Sequence, residues 1–229
     1  MKIHRFIGDF DLSGKTATVS GDAAAQIRSV LRLSKGEKIV LSDGKGNETM
    51  CEITLIDHKR VLVAVGETSA PERELSKRIV LFASIVKKEN FELIAQKAVE
   101  CGVEKIVPVI SERTVKLGLN MERLEKIVRE AAEQSGRVMI PEVVSPVSFS
   151  DALAQAEGKI FFFHLGGRDI SFGEQSKDTV SVFIGPEGGF SDHEAEAAKN
   201  IGAEIISLGD LTLRAETAAI IASYIVRYV

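Results

Sequence analysis

The sequence has little of several features that would classify it at once. Of 229 residues only two are cysteine, Cys51 and Cys101, far apart and outside any CxxC spacing. Neither a disulfide framework nor a zinc pattern follows from them. Basic residues are not in excess: 29 Lys and Arg stand against 33 Asp and Glu, a formal net charge of −4. That disfavours a purely electrostatic nucleic-acid binder, although a local arginine cluster can still hold phosphate on one face. No apolar run reaches the roughly 18 residues of a membrane span. The opening Met1-Lys2-Ile3-His4-Arg5-Phe6 lacks the apolar stretch of a secretion signal. There is no GxGxxG dinucleotide loop, GxxxxGK[ST] phosphate loop or GxSxG nucleophile elbow, so the usual supports for dinucleotide, P-loop and hydrolase chemistry are missing. Internal repeats, low-complexity tracts and clusters of metal-ligating residues are absent too. The expectation is a reduced, cytoplasmic protein without a metal or a membrane partner. With 45% hydrophobic and 27% charged residues, its composition is that of a globular chain long enough to bury a real core.

What is present divides in two. Residues 1–70 are strand-rich, with strands over 38–42, 49–56 and 60–65 and the turn Asp43-Gly44-Lys45-Gly46-Asn47 between the first two. One helix over 21–33, with Ile27, Val30 and Leu31 on one face, interrupts them. Short strands around one helix predict a small barrel-like module. Residues 71–77, charged and carrying Pro71, read as a linker. From 78 to 229 strands alternate with helices, the signature of an α/β sheet. Strands are expected over 79–83, 106–110, 159–164, 180–184 and 204–208. Helices are expected from a cap at Asn90 to a stop at Gly102, over 121–135, over 151–156 behind a Ser150 cap, and over 215–229. The last is apolar nearly all round, through Ala218, Ile221, Ala222, Ile225 and Val229 on one side and Ala219, Ile220 and Val226 on others. Such a helix is buried on more than one side, inside one chain or between two.

The densest chemistry lies in Ile184-Gly185-Pro186-Glu187-Gly188-Gly189-Phe190-Ser191, a buried strand running into a glycine turn, with Ser191-x-x-Glu194 as a capping box that opens a helix. Three glycines and a proline exceed what a plain strand-to-helix turn needs, and glycine lets backbone amides approach a ligand. Two other strands end similarly, at His164-Leu165-Gly166-Gly167 and at Leu208-Gly209-Asp210-Leu211-Thr212-Leu213-Arg214. Ligands of open α/β sheets sit outside the carboxyl ends of the strands, so three such loops predict one pocket.

These segments resemble the signatures of the RsmE family, small-subunit ribosomal RNA uridine N3-methyltransferases of the SPOUT class. Ile184 to Phe190, and Leu208-Gly209 leading to Leu213-Arg214-Ala215-Glu216-Thr217-Ala218, carry the likeness. It is joined by Glu130-Ala131-Ala132-Glu133-Gln134-Ser135-Gly136-Arg137, Gln96-Lys97-Ala98-Val99-Glu100-Cys101-Gly102-Val103, Ser111-Glu112-Arg113 and Val30-Leu31-Arg32-Leu33. Gln26 or a neighbour stands where the family usually has a histidine before Val-Leu-Arg. The resemblance implies an N-terminal PUA-like RNA-binding β-barrel over 1–70 and a SPOUT-type α/β domain over 78–229 with a trefoil knot. It also implies a homodimer, S-adenosylmethionine (SAM) as cofactor, and small-subunit ribosomal RNA or the assembled subunit as partner. Neither knot nor dimer can be read from periodicity. Cofactor binding falls to His164, Leu165, Gly166, Ile184, Gly185, Pro186, Glu187, Gly188, Gly189, Leu208, Gly209, Leu211, Thr212 and Leu213. RNA contact falls to Arg5, Arg28, Arg32, Arg113, Gln134, Arg137 and Arg214, whose guanidinium forks suit phosphate and planar bases; for Arg28 a solvated surface charge is the better reading. Arg137, Glu187 and Glu216 are the catalytic candidates, the two carboxylates serving either as base or as helix cap and dimer contact. A SAM-pocketed assembly factor without turnover is the alternative from another class.

Overall fold

In the computed structural model, residues 3–70, 77–115, 118–169 and 179–228 are described; the expected linker, apart from Lys77, lies outside them. The chain forms two compact units. The first holds residues up to Glu74 together with the segment Ala132–Ile140, which the sequence division had given to the C-terminal domain. The second holds Leu75–Ala131 and Pro141–Val229.

In the first unit, β1 (His4–Ile7), β2 (Thr16–Ser20), β3 (Lys38–Ser42), β4 (Glu48–Ile56) and β5 (Arg60–Ser69) make a five-stranded sheet in the order β1-β3-β4-β5-β2. Period-two burial sends Ala17 and Val19 of β2, and Cys51 and Ile53 of β4, into a core with Phe6, Ile39, Leu41, Val61 and Val63. The helix expected over 21–33 is instead a short α1 (Gly21–Ala25) that widens into a π-helical turn, Gln26–Val30, where the Leu31 amide reaches the Gln26 carbonyl at 2.9 Å. Arg32 ends this turn with φ at 52°, the left-handed region. Segment Ala132–Ile140 completes the unit. The Glu133 carboxylate accepts the Ile7 amide at 2.8 Å, the Val138 carbonyl accepts the Ser42 hydroxyl at 3.2 Å, and Met139 bridges to Lys45 in the 43–47 turn.

The second unit is a seven-stranded sheet of β6 (Ile79–Ser84), β7 (Lys105–Ile110), β8 (Glu142–Val143), β9 (Val147–Ser148), β10 (Lys159–Asp169), β11 (Val180–Ile184) and β12 (Glu204–Ser207). The order is β12-β10-β11-β6-β7-β8, with β9 also on β7, and every pairing is parallel. All carboxyl ends therefore lie at one edge. β6 and β11 are buried along their whole length, as central parallel strands are. Register puts Phe162, Phe183 and Phe82 side by side on β10, β11 and β6; Phe82 and Phe183 stack at 4.4 Å.

Its helices are α2 (Lys88–Glu100), α3 (Met121–Ser135, whose last residues belong to the first unit), α4 (Phe149–Ala154), α5 (Asp192–Asn200) and α6 (Ala215–Tyr228). Ser148, not Ser150, caps α4 by accepting the Asp151 amide at 3.1 Å. α2 starts before Asn90, with Lys87 at its N-cap. Gly102 ends it at φ +86°, a left-handed conformation that favours glycine, with the Arg227 side chain of α6 2.8 Å from where a Cβ would stand.

Candidate active site

A cavity of about 230 Å³ opens at the carboxyl ends of β10, β11 and β12, three neighbours in the sheet. Its walls are the three glycine loops, and of the residues expected there all but Gly166 line it. Phe163, Phe190, Ile206, Ser207, Ala215, Ala218 and Arg113 line it as well.

Each loop is held in a different way. After Phe163, β10 leaves the ladder and returns, so that Phe163 and Arg168 both pair with Ile206. The excursion carries Leu165, 65% exposed at the rim, and turns through Gly166 at φ 77°. Gly167 is compelled by the return: a Cβ there would sit 2.7 Å from the Ile206 backbone. The turn after β11 folds on itself, its Gly189 amide bonded to the Pro186 carbonyl at 2.8 Å, and a Cβ on Gly185 would meet the Phe190 nitrogen at 3.0 Å. Phe190, 2% exposed, pins that turn to the core by packing on Phe162 at 4.3 Å. In the loop after β12, the Ser207 hydroxyl accepts the Gly209 amide at 3.1 Å, a serine turn that places Leu208 and Leu211 on the wall.

The ionisable groups divide between wall and scaffold. Glu187 is exposed on the wall. Glu216 is 8% exposed in the first turn of α6, its Oε2 without a hydrogen-bond partner among the described residues. His164 sets its ring nitrogens 2.7 Å from the Leu165 carbonyl and 3.3 Å from that of Phe190, linking two of the loops. Arg113 donates from Nη1 to the Gly188 and Phe190 carbonyls at 2.8 and 3.3 Å.

The other arginines are not among the residues that line the cavity. In the first unit, Arg5 pairs with Glu48 at 3.5 Å, and Arg137 is 7% exposed next to the exposed Gln134 in segment Ala132–Ile140. Arg28 donates to the Asp57 and His58 carbonyls of the β4–β5 turn, which favours its structural reading. Arg32 is exposed, and Arg214 is exposed just before α6. Sequence reasoning missed Phe163, Phe190, Ile206, Ser207, Ala215 and Ala218 as wall residues and gave Arg113 to RNA contact instead. A serine two positions before a glycine, and an aromatic at the end of a glycine turn, were the available signals.

A cleft across three adjacent strand ends of an all-parallel sheet is where open α/β proteins bind their ligands, and the family match makes this chain an RNA methyltransferase. Residues 73–227 match the family of RNA methyltransferase domains, and residues 27–66 match the RNA methyltransferase PUA domain. The chain belongs to the ribosomal RNA small subunit methyltransferase E family. It is 37% identical over 155 residues to the member from Mesomycoplasma hyopneumoniae, covering 64% of this chain and 68% of that protein. To the Aquifex aeolicus member it is 32% identical over 202 residues, covering 83% and 85%. Among solved structures, the Neisseria gonorrhoeae ribosomal RNA small subunit methyltransferase E bound to S-adenosyl methionine superposes with a TM-score of 0.87 at 30% identity, covering 97% of this chain and 95% of that one. A methyltransferase from Legionella pneumophila in complex with SAM gives 0.86 at 30%, covering 99% and 97%.

Proposed function

We propose that this protein transfers the methyl group of SAM to N3 of a uridine in small-subunit ribosomal RNA, in the cytoplasm and as a homodimer. The observation that carries the reading is the cleft built by three glycine loops at neighbouring strand ends. Its chemistry fits SAM. Leu165 and Leu211, 65% and 80% exposed on the wall, offer apolar cover for a neutral ring. At Gly189 and Gly209, among the described residues, no atom beyond the adjoining two residues lies within 4 Å of where a Cβ would stand, so the backbone itself can face a ligand. Backbone groups of Leu165, Gly185, Gly188, Gly189, Leu208 and Leu213 would hold it, with Arg113 as the guanidinium on the wall.

Bound there, SAM supplies a methyl group already activated by its sulfonium. The protein's part is then to orient the base and take its N3 proton. Glu187 is the carboxylate on the wall and is assigned as proton acceptor; Glu216, buried in α6, is assigned to holding that helix. Negative charge on the base oxygens calls for arginine. We assign RNA contact to Arg5, Arg32, Gln134, Arg137 and Arg214, and the π-helical turn leading to the left-handed Arg32 supports a functional role for that motif. A second copy is assigned to the outer face of α6, where Tyr224 and Tyr228 are 54% and 51% exposed and pair at 4.8 Å. A trefoil knot is part of the same reading.

The test is incubation of the purified protein with labelled SAM and undermethylated small subunits, followed by mass spectrometry of the nucleosides. Label at uridine N3 is expected. Tight SAM binding with no transfer to subunits or naked RNA would replace the enzyme with a non-catalytic assembly factor.

A further inference from the structure

We infer that Glu194 is a positioning residue of the cofactor turn, and that the short turn Ser111–Thr114 after β7 is the template on which that turn is set. Glu194 is 3% exposed, and burying a carboxylate requires that its oxygens be satisfied. One oxygen does what a capping box needs: Oε2 accepts the Ser191 amide at 2.9 Å while Ser191 Oγ accepts the Glu194 amide at 3.2 Å. The other does something a cap does not need. Oε1 accepts the amide of Glu112 at 2.9 Å, from a different loop and 82 residues away. Ser191 Oγ in turn donates to Glu112 Oε2 at 2.6 Å, so the two loops are crossed by bonds in both directions.

Arg113, the next residue, grips the other end of the same turn through the Gly188 and Phe190 carbonyls. Glu112 and Arg113 thus bracket the stretch from Gly188 to Ser191, whose glycines form the cleft wall. The template is itself closed. The Thr114 amide reaches the Ser111 carbonyl at 3.0 Å, and Thr114 Oγ1 accepts the Ser111 amide at 3.0 Å. A turn containing Gly188 and Gly189 has little conformational preference of its own, so its shape in the absence of ligand is set by what it is tied to. Ordering it in advance removes a cost that binding would otherwise carry.

This inference rests on the SAM reading of the cleft. Glu194→Gln keeps the shape and one acceptor but presents an amide donor to one of two backbone N–H groups. It should weaken SAM binding about tenfold, the scale of leaving one buried donor unmatched. Glu112→Gln, which leaves the wall residue Arg113 in place and alters the acceptor of the Ser191 hydroxyl, should weaken SAM binding from the template side. In turnover the Michaelis constant for SAM should rise while that for RNA stays put, a split that general destabilisation would not give. Ser148→Ala, which removes the cap of α4, is the control: it should lower the melting temperature and leave SAM affinity unchanged. SAM affinity is read by calorimetry on the full chain, with melting temperatures alongside. If the parent binds no SAM, the cofactor reading falls. If the parent binds and folded Glu194→Gln binds within twofold of it, the positioning role is overturned.

Discussion

Gly189 holds φ at +66° on the cleft wall, with no described residue beyond its two neighbours within 4 Å of a Cβ position. Gly189→Val should therefore fill ligand space and strain the backbone by about 1–2 kcal/mol. Loss of SAM binding with the fold retained, by calorimetry and circular dichroism, is the expected result. Arg32 is the reverse case: a non-glycine residue at φ 52°. Replacing it with glycine relaxes the backbone while deleting the guanidinium. Arg32→Gly should stay within about 1 kcal/mol of parental stability yet bind ribosomal RNA more weakly and leave SAM affinity intact. Unchanged RNA affinity in a filter-binding assay would remove Arg32 from the interface. Burial raises the thiol pKa of both Cys51 and Cys101, 1% and 8% exposed. A raised pKa keeps each thiol protonated above its ordinary titration range, so neither should react with a thiol reagent near pH 8 until denaturant is added.

Among the elements, α3 (Met121–Ser135) was legible to the residue, because Leu124, Val128, Ala131 and Ala132 recur at helical spacing and are all buried. So was β11, apolar apart from Ser181 and ended by Gly-Pro. The strands β1 and β2 were not: β1 is only four residues long, and β2, although it alternates, offers just two apolar positions, Ala17 and Val19. The π-helical turn was hidden for another reason: Ile27, Val30 and Leu31 satisfy an α-helical pattern, yet Val30 is 72% exposed. The glycine loops and their meeting in one pocket were expected from the sequence, whereas the immediate adjacency of β10, β11 and β12 that brings them together comes only from the sheet order. The two roles of Glu194 were half visible: capping is local, and the bond to Glu112 is not. Nor could periodicity reveal that Glu133 closes the first unit on Ile7. Glu133→Ala should destabilise that unit by ~1–3 kcal/mol. Hydrogen exchange reads it, with the Ile7 amide losing protection while β11 keeps its own.

At the scale of the whole molecule the net charge of −4 leaves RNA attraction to local arginines, and the exposed tyrosine pair of α6 leaves that helix with an apolar face. Tyr224→Glu should convert the proposed dimer to monomer in sedimentation equilibrium, because a charge would then have to be buried at its centre. The parent sedimenting as a monomer would dispose of the dimer. Segment Ala132–Ile140 has a further consequence. The first unit is discontinuous: more than fifty residues of the other unit separate Glu74 from Ala132. During synthesis the amino-terminal strands leave the ribosome long before the segment that satisfies the Ile7 amide and the Ser42 hydroxyl. The order of emergence therefore runs against the usual rule that an N-terminal domain finishes first. The nascent first unit waits, one strip short, until β6 and β7 of the second sheet have already been made.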